Sequence, residues 1–331
     1  MAFNIHILPS DRNFISEANA TILEAGLSSG LALGYGCSNG NCGKCLARVL
    51  SGEVHKIRHH DFKIAEQQQI NGHVLMCCNT ALSDIKLEAP EANSSSEIPE
   101  QNITAKVKSI HVVNDDVALM HLKTPRTNRL RFLAGQHVSL RGSDLSTASH
   151  SISSCPCDDM NLHFQIPRLP ENEFSEFVFN QLKKSDPIDI TGPQGDFVLD
   201  EDSPRSLVFI AWQTGFAPIR SLIEHAMALD LSGDIHLLWL ANSKKDRYLD
   251  NLCRSWNDAL DNFYYVPIDV DPALEIDPAL IIEGINADPG DLYGYDFYLA
   301  GNKTLSGAVE DYLVNSGLQK EQINVDQKTH L

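Results

Sequence analysis

The spacing of apolar positions changes character along the chain, and each change marks a different kind of unit. "FNIHILP" (3–9) alternates apolar and polar residues, as a half-exposed edge strand does. "SEANATILEAGLSSG" (16–30) puts Ile22, Leu23 and Leu27 on one face of a helix, and "CLARVLSGEV" and "DIKLEAP" read as further strands. Residues 1–90 are therefore expected to form a small β-rich unit. The stretch "EAPEANSSSEIPEQ" (88–101) offers little to bury and reads as a linker, assigned to 91–101. From 102 to 200 short alternating runs ("ITAKVKSIHVV", "VALMHLKT", "QHVSLRG", "LHFQIPR", "DPIDITGP") lie between turn residues. They predict an antiparallel barrel or sandwich with one amphipathic helix, "FSEFVFNQLKK". From 201 to 331 the strands become continuous apolar runs, "SLVFIAW", "DIHLLWLAN" and "YDFYLAG", each followed by a helical segment. Strands apolar on both faces and alternating with helices predict a parallel α/β sheet.

The length of 331 residues suits two or three such units, at roughly 100–200 residues each. Acidic residues outnumber Lys and Arg by 44 to 26, a net charge of −18, which disfavours nucleic acid or an anionic membrane as partner. "MAFNIHILPSDRNF" has neither the basic nor the apolar segment of a signal peptide, and no apolar run approaches the ~18 residues of a membrane span. A cytoplasmic protein is expected, with its eight cysteines reduced or metal-bound.

Three of those cysteines crowd one loop, "YGCSNGNCGKC" (35–45). Cys37, Cys42 and Cys45 have the spacing C-x4-C-x2-C, and "GHVLMCCNT" offers Cys77 and Cys78 as a distant fourth. That is the plant-type [2Fe–2S] pattern. The loop holds glycine instead of apolar residues because backbone N–H groups must approach the sulfurs of a negatively charged cluster. A structural zinc site is the alternative, but zinc sites prefer two spaced cysteine pairs, and adjacent Cys77 and Cys78 cannot easily both reach one ion. Cys77 is expected to be the ligand and Cys78 a buried neighbour.

On these cysteines, together with "LAGQHVSL" (133–140), "ITGPQGDFVL" (190–199), "TGFAPIRSLIEHA" (214–226) and "YLAGNKTLSGAVEDYL" (298–313), the chain resembles the ferredoxin-fused, ferredoxin–NADP reductase-type family along its whole length. That family includes the reductase components of bacterial oxygenases and CDP-6-deoxy-glucoseen reductase. The resemblance implies a β-grasp ferredoxin domain, an antiparallel flavin-type β-barrel and a parallel-sheet nicotinamide-type domain. It also implies electron flow from NAD(P)H through FAD and the cluster to a partner oxygenase or dehydratase.

The chain departs from the family's motifs at the flavin and the nicotinamide. Where the family has R-x-Y-S, this chain has Ala148, His150 and Ser151. Gln165 falls at a second arginine, and Asn172 stands for the glycine of a Gly-x-x-Ser that keeps Ser175. In "QTGFAP" Gln213 replaces the first glycine, while Thr214, Gly215 and Pro218 remain. Ala300 replaces the nicotinamide cysteine, and "QINVDQKTHL" has no aromatic to cover the flavin. Ser151, Ser175, Thr214 and Gly215 are thus the retained cofactor-binding candidates. Two functions follow: a reductase component, or a cluster-bearing carrier or docking subunit whose reductase half no longer turns over. No catalytic residue is assigned.

The remaining candidates have plainer readings. Cys155 and Cys157 form a C-x-C that can bind metal or make a redox pair, but they are expected to be surface-loop thiols without a role; His55, His59 and His60 could ligate a metal but read better as a solvated loop. Asp269 and Asp271 lack the rest of a calcium loop. Trp212, Trp239 and Trp256 are assigned to the core. Lys244 and Lys245 can meet a ribose 2′-phosphate or simply face water.

Overall fold

The computed structural model describes residues 2–92, 94–271, 277–285 and 289–326. The last five positions of the C-terminal stretch lie outside them. Three sheets carry the structure. The first is built by β1 (Ala2–Leu8), β2 (Asn13–Glu17), β3 (Leu46–Ser51), β5 (His73–Leu75) and β7 (Ile85–Glu88), while β4 (Val54–Lys56) and β6 (Asn79–Ala81) pair separately. Helices α1 (Ile22–Ser28) and α2 (Glu66–Ile70) complete this part. The β-sheet order is β2-β1-β7-β3-β5, so β1 is not an edge strand as its alternation suggests. It pairs antiparallel with β2 and parallel with β7, and its alternate Ile5 and Ile7 point into the core. Helix α1 starts at a capping box, Thr21 and Glu24 bonding each other's backbone, and buries Ile22, Leu23 and Leu27.

The segment read as a linker is pinned at both ends. Ala89 and Ile98 are buried, Gly34 N–H donates to Pro90 O, and Ser95 Oγ reaches Asp196. Its polar composition concealed backbone and side-chain bonds to its neighbours.

The second sheet is antiparallel and six-stranded, ordered β11-β10-β13-β8-β9-β12. Its strands are β8 (Gln101–Asn114), β9 (Val117–Lys123), β10 (His137–Arg141), β11 (Thr147–Ser151), β12 (Asn161–Pro167) and β13 (Pro187–Gln194). Ser153 N–H donates to His163 O at 2.8 Å, bringing the ends of the order together as a barrel does. Helix α3 (Glu173–Asn180) caps its core with Phe174 and Phe177.

The third sheet is parallel: β14 (Ser206–Trp212), β15 (Ile235–Ala241), β16 (Phe263–Asp269), β17 (Tyr295–Ala300) and β18 (Ile323–Val325), ordered β16-β15-β14-β17-β18. Helices α4 (Phe216–Ala228), α5 (Asp250–Ala259), α6 (Pro278–Glu283) and α7 (Lys303–Asn315) connect the strands. The order reverses at β14, and the crevice beyond the carboxyl ends of β14 and β15 is where such sheets bind ligands. Trp239 is fully buried and stacks on Phe216 with ring centroids 4.0 Å apart; Trp212 and Trp256 pack at the margins of the core.

Ion pairs tie the first sheet's unit to the others. Arg12 meets Glu201, which also accepts from His225 Nε2 at 2.8 Å. Burial raises the Glu201 carboxyl, but the hydrogen bonds and charges of His225 and Arg12 outweigh it and hold the group below its ordinary value. A folded value below the unfolded one contributes stability above the ordinary glutamate range, lost as pH falls through the folded value. Glu201→Gln is therefore expected to lower the urea midpoint at pH 7, with the deficit against the parent closing as pH is brought down to about 3. A deficit independent of pH would contradict this.

Candidate functional site

The cysteine loop follows α1 and wraps tightly. Gly40 and Gly43 have φ of +84° and +77°, and a Cβ on Gly43 would lie 2.3 Å from the Phe62 ring. Only glycine takes this backbone without strain. The turn aims amides at sulfur: Asn41 and Cys42 N–H both donate to Cys37 Sγ at 3.3 Å, and Cys37 N–H donates to Cys42 Sγ at 3.4 Å. Cys77 sits just past the end of β5, and its Sγ is 3.2 Å from Cys45 Sγ. The four sulfurs thus form two pairs, Cys37 with Cys42 and Cys45 with Cys77. Among the described residues no three ligating side chains converge on a single ion. A two-iron cluster takes two thiolates per iron, and the donor set and amide cradle fit that group. The Cys45 bond lowers Cys77 to about 6, whereas burial and the Cys77 charge lift Cys78 to about 12. Cys78 Sγ lies 3.6 Å from Cys77 Sγ and 3.9 Å from His59 O. Cys42 is exposed, and the loop borders a cleft of about 530 Å3 that reaches Arg129 and Arg131. Of the three loop histidines His59 is solvated, while His60 Nδ1 pairs with Phe62 O and its Cβ covers Gly40.

A second cleft, also about 530 Å3, lies beyond the carboxyl ends of β14 and β15. Thr214, Asn242 and Ser243 border it with two cations, Lys245 and Arg168, and two carboxylates, Asp116 and Asp246. Gly215, next to Thr214, packs on the end of β17: a Cβ there would lie 2.2 Å from Ala300 O. Gln213 keeps a glycine-like φ of +47°, and its carbonyl accepts from Trp239 Nε1 at 3.1 Å.

At the barrel's side the retained serines face inward. Ser151 is buried, and His150 beside it is covered by protein with its ring centroid 5.5 Å from that of Phe174. Ser175 Oγ donates to Pro167 O and accepts from Leu169 N–H, while its own N–H goes to Asn172 Oδ1 at 2.9 Å. The start of α3 is thus capped by its own Asn172 and surrounded by Glu171, Glu173 and Glu176. Tyr248 crosses from the third sheet and donates to Gln165 Oε1 at 2.5 Å; Gln165 Nε2 in turn reaches Ser153 Oγ.

Cys155 and Cys157 are not idle surface thiols: they form a disulfide, with Cys155 buried. The proline between them and the contacts of their loop to α1 and α4 bring the sulfurs together, so of the readings the C-x-C spacing offers it is the paired one that the structure holds.

A model of the 2Fe-2S iron-sulfur cluster binding domain matches residues 5–83, and one of the oxidoreductase FAD-binding domain matches residues 104–199. The CDP-6-deoxy-L-threo-D-glycero-4-hexulose-3-dehydrase reductase of Yersinia pseudotuberculosis is 30% identical over 328 residues, 98% of each chain. The chain belongs to the ferredoxin-fused reductase family. The reductase is also 28% identical to component 2 of the terephthalate 1,2-dioxygenase reductase of Comamonas, over 98% of this chain and 97% of that one. In fold it matches a crystal structure of an Amycolatopsis cytochrome P450 reductase with a TM-score of 0.62, at 24% identity over 99% of each chain. It is an iron–sulfur oxidoreductase, a reductase component passing electrons from NAD(P)H through a [2Fe–2S] cluster to a redox partner. The match to the FAD-binding domain supports FAD as a further cofactor. Among the described residues no helix is long and apolar enough to cross a membrane.

The two nucleotides fit unequally. The cleft beside Thr214 and Lys245 suits NAD(P)H by its place beyond the carboxyl ends of β14 and β15. The flavin side does not fit FAD as the family grips it: two arginine positions carry Ala148 and Gln165, and Asn172 takes the N–H at the helix start, where glutamates repel phosphate.

Proposed function

We propose that Cys37, Cys42, Cys45 and Cys77 hold the [2Fe–2S] cluster, and that the partner it serves is an oxygenase or a dehydratase. The pairing of Cys45 with Cys77 at 3.2 Å, opposite the amide-cradled pair Cys37 and Cys42, carries the assignment. Residues 1–90 are the ferredoxin unit, 102–200 the flavin-type barrel and 201–331 the nicotinamide-type unit, with 91–101 between them. The strands support this division, falling at 2–88, 101–194 and 206–325. Thr214 borders the nicotinamide cleft with Gly215 packed behind it, Ser175 bonds the barrel's own backbone at Pro167 and Leu169, and Ser151 is the flavin-side candidate at the end of β11. The relatives' names, which pair reductases with a hexulose dehydrase and with dioxygenases, support the partner class.

The self-capped α3 favours a second reading, in which the cluster is filled by another reductase and the barrel is structural. Anaerobic addition of NADH or NADPH to the purified protein, cluster-loaded and supplied with FAD, separates the two. Bleaching of the cluster's visible absorption is expected for the reductase. A cluster unchanged by either nucleotide, yet reduced by a supplied reductase, would establish the carrier.

A further inference from the structure

We propose that Cys155 and Cys157 are a second redox centre of this chain, a dithiol–disulfide couple that exchanges electrons with the cluster. The inference rests on the cluster ligands being those named above. The pair lies on the loop from β11 to β12, where the three units meet. Ser221 Oγ on α4 donates to Ser154 O at 2.7 Å, and Cys155 N–H donates to Glu224 Oε2 on the same helix at 3.1 Å. On the ferredoxin side, Cys157 shares a small cavity with Leu27 of α1 and with Tyr35, two residues before Cys37. Cys157 and the residue that leads into the cysteine loop thus border one cavity.

A structural staple is a poor explanation for this bond. The stabilisation a disulfide gives through the unfolded chain grows with the loop it closes, and here only Pro156 lies inside. The two sulfurs also differ as a working pair does. Cys155 is 4% exposed, and its Sγ accepts from Cys157 N–H at 3.2 Å, which favours a thiolate, while Cys157 is half-buried and within reach of solvent. Arg220 Nε bonds Glu224 at 2.8 Å, offsetting the carboxylate beside Cys155.

Breaking the sulfur–sulfur bond takes two electrons, which a cluster held by Cys37, Cys42, Cys45 and Cys77 would supply singly, in two turns. Two protons complete the thiols, one from solvent at Cys157 and one delivered past Glu224 at Cys155. The reductant is a one-electron donor to the cluster, supplied in the experiment below by photoreduced deazaflavin. Plant-type clusters have lower potentials than labile protein disulfides, so electrons run from the cluster to the pair. A one-electron carrier thereby gains a two-electron store.

The test is an anaerobic photoreduction of the cluster-loaded chain with a deazaflavin, counting electrons to completion. It is run beside a Cys155→Ser/Cys157→Ser double variant whose cluster absorption matches the parent's. The parent is expected to take up two more electrons than the variant. Maleimide should label Cys155 and Cys157 only after reduction, as read by peptide mass. In the parent reduced with limiting light, the cluster's EPR signal should fade in the dark as the thiols appear, and it should persist in the variant. Equal electron uptake, a disulfide that survives full cluster reduction, or a signal equally stable in both would overturn the proposal. A chain without cluster absorption refutes the cluster ligands instead, and the visible spectrum shows that before reduction begins.

Discussion

Cys77→Ala is expected to yield protein with almost no bound iron and no cluster absorption, whereas Cys78→Ala keeps both. The two residues are adjacent and both buried, so burial does not separate them. Direction does: Cys77 Sγ meets Cys45 Sγ at 3.2 Å, while Cys78 Sγ faces His59 O and the space above Gly40. A cluster held by four thiolates has no substitute once one is removed, and metal binding couples to the fold of its loop. Iron content and the visible spectrum of the two variants read the result directly. Iron retained without Cys77 and lost without Cys78 would make Cys78 the ligand.

Asp159→Ala is expected to destabilise the chain by about 3–5 kcal/mol, the cost of leaving a buried cation unpaired. Arg129 Nη1 donates to Asp159 Oδ1 at 3.0 Å, with side chains 9% and 5% exposed. Burial raises the Asp159 carboxyl above its ordinary range despite the opposing charge of Arg129, and burial followed by the nearby Asp159 carboxylate pushes the Tyr35 hydroxyl well above its own. The cluster loop's lead-in residue is thus seated on a barrel ion pair. Urea unfolding checks the loss, and Asp159→Ala with Arg129→Met should recover much of it, because no charge is then stranded. A single variant within about 0.5 kcal/mol of the parent would show that the pair carries no such weight.

The units and the cysteine pattern were legible because each rests on local periodicity or spacing. Alternation marked the antiparallel strands, continuous apolar runs the parallel ones, and C-x4-C-x2-C the cluster. What stayed hidden depends on partners distant in sequence. The spacing of "FNIHILP" does not reveal that β7 closes its second side. Gln165 gives no sign that Tyr248 will reach it from 83 residues away, nor Asp159 that Arg129 and Tyr35 converge on it. The departures at Ala148, Asn172 and Gln213 were visible as letters. Their physical meaning, a helix start satisfied by its own side chain, emerges only in three dimensions.

Glu171 and Gln213 hold φ of +67° and +47°, a conformation that ordinary side chains adopt at a cost. At Gln213 the main chain has therefore kept the shape a glycine would choose, although the glycine is gone. At Asn172, the other replaced glycine, φ is −90°, and the side chain caps α3. A glycine restored at 213 would meet a turn already set for it, whereas one restored at 172 would also strip the helix of its cap.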